Sequence, residues 1–241
     1  MAGIFYGVSV GPGDPEYMTL KAVRVLQECP VVAAPRTDGV SSAALDIARG
    51  AVDLSGKEIV YLDFLMVRDK ARLAERHREL TDAVAAYLDK GQDVAMVNLG
   101  DCSLYASYSY LRDALQERGY QTQAIAGVTS FSACAALVGV SLTQARLPLH
   151  IIPGDYPALL EELQAPGTKV VMKSGRGIER VQKAVEASGR QEKVWVVENC
   201  GMESERTLRD ISEAGGAYFT TVLIGEAPAV SHTDTIDKKE N

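Results

Sequence analysis

"IFYGVSVGPGDPEYMTLKAVRVLQ", residues 4–27, decides how the rest of the chain is read. Residues 4–10 are an apolar run of strand length with little polar alternation, the pattern of a strand buried on both faces. Residues 15–27 carry helical spacing, with Met18, Ala22, Val25 and Leu26 on one face. Asp14 stands where a helix cap belongs, Pro15 at the first helical position, and Glu16 where the positive helix end favours an acid. Cys29 and Pro30 end the pattern. Between strand and helix lies "GPGDP", residues 11–15. Gly11 and Gly13 permit backbone angles and close approaches that other residues resist, and Pro12 stiffens the turn. Alone, the turn reads equally as a plain strand–helix connection and as a ligand loop. It lacks the third glycine of the dinucleotide fingerprint.

The same alternation continues along the chain. Strand patterns fall at 4–10, 30–35, 58–62, 93–98, 121–125, 149–153, 168–172, 193–197 and 218–225, and the clearest helical patterns at 15–27, 69–90, 104–117, 128–138 and 176–187. Continuous apolar strands separated by helices predict α/β units with much parallel sheet. So many strands exceed one small sheet, so two α/β domains are expected, 1–120 and 121–230. The break is placed in "ERGYQTQAIAG", residues 117–127, and the polar stretch 231–241 is expected to be a disordered tail.

Composition narrows the function. The chain has 241 residues, 46% apolar and 24% charged, with a net charge of −7. That balance argues against a nucleic-acid partner, although a local basic pocket on an acidic protein remains open to an acidic small molecule. Cys29, Cys102, Cys134 and Cys200 show no Cys-x-x-Cys spacing, so no metal site is expected. No signal peptide and no membrane-length apolar run is legible, so a reduced, cytoplasmic protein without a membrane partner is expected. The Walker loop, the Gly-x-Ser-x-Gly elbow and the His-Glu-x-x-His helix are absent. His77 sits on a charged helix and reads as solvated, His150 precedes a strand, and His232 lies in the tail.

Ligands of open α/β sheets bind outside the carboxyl ends of strands, and further loops occupy such places. In "NLGDCSLYASYSYL", residues 98–111, Gly100 allows backbone approach, and Asp101 and Ser103 serve as ligand acceptors or caps. Tyr105, Tyr108 and Tyr110 read as ligand-facing or as core. In "GVTSFSACAA", residues 127–136, Thr129 and Ser130 open a helix of small residues whose free amides suit a polar ligand, or simply a tightly packed helix. Met172 ends the strand of "VVMKSG", residues 170–175, and "VENCGMESER", residues 197–206, follows another strand.

Taken together these segments resemble the tetrapyrrole (corrin/porphyrin) methyltransferases. "VSVGPGDPEYMTLKA" matches the near-N-terminal pattern of that family. Gly100, Asp101 and Tyr105 match its Gly-Asp-x-x-x-Tyr. Gly127 to Ser130 match its third segment, with Ala126 in place of proline, and "YFTTVLIG" matches its final strand. Within the family, residues 100–111 and 127–136 are most similar to the enzymes that methylate C-20 of precorrin-2 or cobalt-factor II in cobalamin biosynthesis, which usually carry proline where this chain has Cys102.

The resemblance implies a largely parallel N-terminal sheet, a mixed C-terminal sheet, S-adenosylmethionine as cofactor in the cleft between domains, and a homodimer. By matching position, the cofactor would meet Pro12, Gly100, Asp101, Cys102, Ser103, Tyr105, Thr129, Ser130, Met172, Asn199, Thr221 and Val222. The substrate would meet Gly11, Gly13, Asp14 and Arg36, the last gripping a carboxylate of a polycarboxylate ring. Lys21, Lys173 and Arg176 are weaker candidates for that grip. No residue is singled out as a general base, because an electron-rich ring carbon demands alignment more than deprotonation. A methyltransferase acting at another ring position, the diphthamide-forming relative, a nucleotide-dependent oxidoreductase and a non-catalytic sensor of the same fold are the alternatives.

Overall fold

The computed structural model describes residues 1–37, 39, 41–67 and 69–225. The expected tail at 231–241 lies outside the described residues. Two compact units form, Met1–Ala133 with Cys200–Glu203, and Cys134–Asn199 with the described residues from Ser204 on.

Unit 1 is built on strands β1 (Phe5–Ser9), β2 (Val31–Thr37), β3 (Glu58–Phe64), β4 (Val94–Asn98) and β5 (Thr122–Ile125). They form one sheet in the order β3-β2-β4-β1-β5, parallel throughout. Helices α1 (Leu20–Glu28), α2 (Ala43–Ala51), α3 (Lys70–Leu88) and α4 (Tyr108–Glu117) cover it. Strand alternation sorts the apolar side chains into two cores. Val8, Val32, Ala34, Ala95 and Val97 meet α1 and α2, while Phe5, Val31, Ala33, Val94 and Met96 meet α3 and α4. Each central strand therefore feeds both faces, which is why these strands read as unbroken apolar runs. Gly7 shows the packing limit: a Cβ there would stand 2.6 Å from the Tyr108 ring.

The division expected at 120 falls too early. β5 pairs with β1 in the register Phe5 to Thr122, so residues 117–121 form an internal helix–strand turn and the first unit runs on to Ala133. The first helix also differs. Asp14 caps only a 3-10 turn, Pro15–Tyr17, by accepting from the Glu16 amide. Met18 and Thr19 are extended, and α1 begins at Leu20 with Thr19 as its cap. The expected helix at 104–117 starts at Tyr108, since Tyr105 has φ +50° and cannot lie in a right-handed helix.

Helix α5 (Ser130–Leu137) follows. Unit 2 holds β6 (Leu149–Pro153), α6 (Leu159–Gln164), β7 (Thr168–Met172), α7 (Ile178–Ser188), β8 (Val194–Glu198), β9 (Arg206–Leu208) and β10 (Thr220–Ile224). Its sheet order is β6-β7-β10-β8-β9, with only β6 and β7 parallel. Ile152, Val171, Val194, Val196, Val222 and Ile224 pack on α6 and α7. No helix among the described residues is long and apolar enough to cross a membrane.

Candidate cofactor and substrate site

The Gly-Pro-Gly turn is a backbone junction. Gly11 and Gly100 form an isolated antiparallel bridge, with amide-to-carbonyl distances of 3.2 and 2.8 Å. Both have positive φ, +76° and +68°, which glycine adopts without penalty. Gly13 meets another backbone: a Cβ on it would stand 2.3 Å from the Cys200 carbonyl oxygen. Pro12 is buried between these glycines. The two glycines thus let the first loop seat against loop 99–105 on one side and Cys200–Gly201 on the other.

Loop 99–105 is braced by Asp101, which is almost fully buried. Its Oδ1 accepts from the Ser103 amide at 2.8 Å and from the Ser103 hydroxyl, and its Oδ2 accepts from the Gly127 amide at 2.7 Å. Burial pushes this carboxyl up, but the Ser103 and Gly127 donors outweigh it and hold the carboxyl below its ordinary range. Both oxygens therefore serve the chain itself, so Asp101 orders the loop from within. The Cys102 amide donates to Ser9 Oγ at 2.9 Å. Burial raises the Cys102 thiol, which suits packing and not nucleophilic attack. Sequence reasoning passed over Ser9; its signal was a hydroxyl ending an otherwise apolar strand.

Gly100 is itself buried, with its amide and carbonyl both taken by Gly11, but space is left beside its Cα. A Cβ on Gly100 would meet only the Ser130 amide nitrogen, at 3.8 Å. Ser103 and Tyr105 are exposed beside it. Thr129 accepts the Ala133 amide through its carbonyl and shares a 2.8 Å hydrogen bond with Ser132 Oγ. Of the tyrosines, Tyr108 is core and Tyr105 and Tyr110 are exposed.

In unit 2, Met172 ends β7 and is followed by Lys173 at φ +56°, and β8 is followed by Asn199 at φ +53°. Non-glycine residues at positive φ gather at functional turns, and Asn tolerates that region well. The Asn199 side chain donates to Ser204 Oγ at 3.0 Å. Thr221 and Val222 lie in central strand β10. The Val222 side chain is in the core, so it offers a ligand no side-chain contact.

Arg36 already has a carboxylate. Its Nε and Nη2 donate to Asp63 at 2.6 and 3.1 Å. Lys21 and Arg176 are exposed. His77 is less solvated than its charged helix suggested: it is partly covered, its ring stacks on Tyr110 at 4.6 Å, and burial lowers its imidazolium. His150 lies within β6 and faces Glu162 at 3.4 Å.

A parallel five-stranded unit with paired glycine loops, followed by a mixed five-stranded unit, defines the class. The chain belongs to the tetrapyrrole (corrin/porphyrin) methylases, a family matched over residues 5–214. It is 31% identical over 233 residues to a precorrin-2 C(20)-methyltransferase from a Sinorhizobium species, covering 92% of this chain and 95% of that one. It is 29% identical to the cobalt-precorrin-2 C(20)-methyltransferase of Salmonella typhimurium, covering 94% and 98%. It spans only about half, 46%, of the Mycobacterium tuberculosis cobalamin biosynthesis protein CobIJ, to which it is 31% identical. Among solved structures, the uroporphyrin-III C-methyl transferase from Thermus thermophilus complexed with S-adenyl homocysteine superposes with a TM-score of 0.66, at 26% identity over 93% of this chain and 98% of that one.

Proposed function

We propose that this protein transfers a methyl group from S-adenosylmethionine to C-20 of precorrin-2 or cobalt-factor II, a step of cobalamin biosynthesis. The observation that carries the reading is the end-to-end likeness to C(20)-methyltransferases of nearly the same length. The residues fit such a cofactor. Space beside the Gly100 Cα opens toward the Ser130 amide nitrogen, and amides at a helix start suit a carboxylate. Bound there, S-adenosylmethionine supplies an electrophilic methyl group on sulfur.

The chain's share of the work is orientation. The Gly11–Gly100 bridge and the Asp101 brace hold the floor rigid, so a ligand on it meets groups already in place. The cofactor contacts expected of Pro12, Ser103, Tyr105, Thr129, Ser130, Met172, Asn199 and Thr221 belong to this reading, as do Gly11, Gly13 and Asp14 for the substrate. A cytoplasmic setting is supported by four buried cysteines among the described residues, none of them in a disulfide. A homodimer is supported by the family resemblance alone.

Anaerobic incubation with S-adenosylmethionine and either metal-free precorrin-2 or cobalt-factor II, followed by mass spectrometry and positional assignment, tests the reading. The expected result is a single added methyl at C-20 of one of the two. No methylation of either, by protein that binds S-adenosylhomocysteine, overturns it.

A further inference from the structure

β2 and β3 outrun their neighbour. β4 ends at Asn98, and carrying its parallel register with β2 forward sets Pro35 opposite that residue. The β2–β3 ladder continues with Arg36 opposite Asp63 and Thr37 opposite Phe64. The Arg36 rung therefore lies past the last β2–β4 pair, Ala33 with Met96, at the carboxyl end of the sheet, where open parallel sheets take ligands.

On this rung the guanidinium is held from two directions. The Asp63 carboxylate takes its Nε and one Nη2 hydrogen. The ring of Tyr61, itself exposed, lies with its centroid 4.5 Å from the Arg36 Cζ. The end of β3 is fixed in turn: Arg76 of α3 donates through Nε to the Asp63 carbonyl at 2.8 Å and pairs with Glu79 through Nη1. The Arg36 hydrogen bond holds the Asp63 carboxyl below its usual range, so the pair stays ionised at neutral pH.

A guanidinium carries five N–H donors, and the Asp63 fork takes two. Among the described residues Arg36 has no other polar partner, and its side chain is 29% exposed. The outer edge, one Nη1 hydrogen beside the remaining Nη2 hydrogen, is the geometry that receives a second carboxylate in a fork. An unrestrained arginine loses much rotamer freedom on binding; one already clamped loses less.

We propose that Arg36 grips a substrate carboxylate through this outer edge, and that Asp63 and Tyr61 are positioning residues that fix the guanidinium plane. The inference rests on the tetrapyrrole reading above. An ion pair with no such role affects stability and leaves ligand affinity alone, which separates the two cases.

The test uses the full chain and its Arg36→Met, Arg36→Lys, Asp63→Ala and combined Arg36→Met/Asp63→Ala variants. Affinity for cobalt-factor II, or for precorrin-2 where the methylation assay selects it, is measured by absorbance titration with S-adenosylhomocysteine present. Affinity for S-adenosylhomocysteine alone and the thermal midpoint report on the fold, with Asp63→Asn replacing any Asp63→Ala protein that fails to fold. Arg36→Met is expected to weaken tetrapyrrole binding about tenfold, the scale of one charged hydrogen bond, with S-adenosylhomocysteine affinity unchanged. Arg36→Lys should not restore it, because an ammonium lacks the fork. Asp63→Ala should weaken binding about fivefold, and the combined variant should be no weaker than Arg36→Met, as coupled residues require. Unchanged affinity in Arg36→Met or Asp63→Ala, or additive losses in the combined variant, overturns the proposal. Wild-type protein that binds S-adenosylhomocysteine but neither tetrapyrrole overturns instead the reading beneath it.

Discussion

Asp101 carries three donors on two oxygens: the Ser103 amide and hydroxyl on one, the Gly127 amide on the other. Only a carboxylate accepts at both ends. Asparagine at this position would point an NH2 at one of the amides, leaving a buried donor unpaired at a cost of about 1–3 kcal/mol. Asp101→Asn is therefore expected to lower the urea-unfolding free energy by that amount near pH 7. The pH dependence has a definite sign. The folded carboxyl titrates below its ordinary value, so its contribution is complete above about pH 4 and is lost as pH falls through the folded value. The gap between wild type and Asp101→Asn should hold from pH 8 to 5 and narrow below about pH 4; a gap that stays undiminished well below pH 4 would remove the carboxylate from the explanation. The sequence marked Asp101 as important but not as a brace. Its partner Gly127 is far along the chain, and nothing local in "GDCSLY" points there.

Helix α1 shows what a sequence pattern resolves and where it stops. Asp14 and Pro15 are a well-formed start signal, and they do start a helix, but it is one 3-10 turn. Thr19 carries the α-helix: its Oγ1 accepts from the Ala22 amide at 3.2 Å and reaches the Ala126 carbonyl at 3.5 Å. Thr19→Ala should cost about 1 kcal/mol by chemical denaturation, and Asp14→Ala distinctly less; the reverse order would return the cap to Asp14. Strand positions were more legible than helix starts. Each of the strand runs read from apolar pattern is found; the central ones, such as β1 and β4, are buried along nearly their whole length and have few polar residues to confuse them. β9, with Arg206 and Thr207 exposed, was not legible, since a short edge strand has no apolar signal. The Arg36–Asp63 rung was half legible: Arg36 stood out by its place after a strand, whereas Asp63 became relevant only through the β2–β3 register. The domain break was missed because a helix–strand turn inside a unit looks the same in sequence as one between units.

The chain's path couples parts that sequence distance separates. It leaves unit 1 after Ala133 and returns for Cys200–Glu203 alone. Those residues complete unit 1: Met202 packs against the core of α1 and α2, and Gly201 sits so close that a Cβ would stand 2.6 Å from the Asp14 amide nitrogen. Yet they are spanned by β8 and β9, whose ladder, from Val196–Leu208 to Glu198–Arg206, belongs to the sheet of unit 2. Melting that sheet frees both ends of the segment, so its place in unit 1 depends on unit 2 being folded. The cysteines report this directly, since all four are buried and burial pushes the Cys29 thiol up to about 12, which keeps it unreactive in the native state. With labelling by a thiol reagent across a urea series and mass mapping of each site, the native chain should label at none of the four positions. Cys134 and Cys200 should then become reactive together, with Cys29 and Cys102 at the same urea concentration or a higher one. Cys200 remaining protected with Cys29 at a concentration where Cys134 is fully labelled would show that the returning segment is held by unit 1 alone, and would break the coupling argued from the path of the chain.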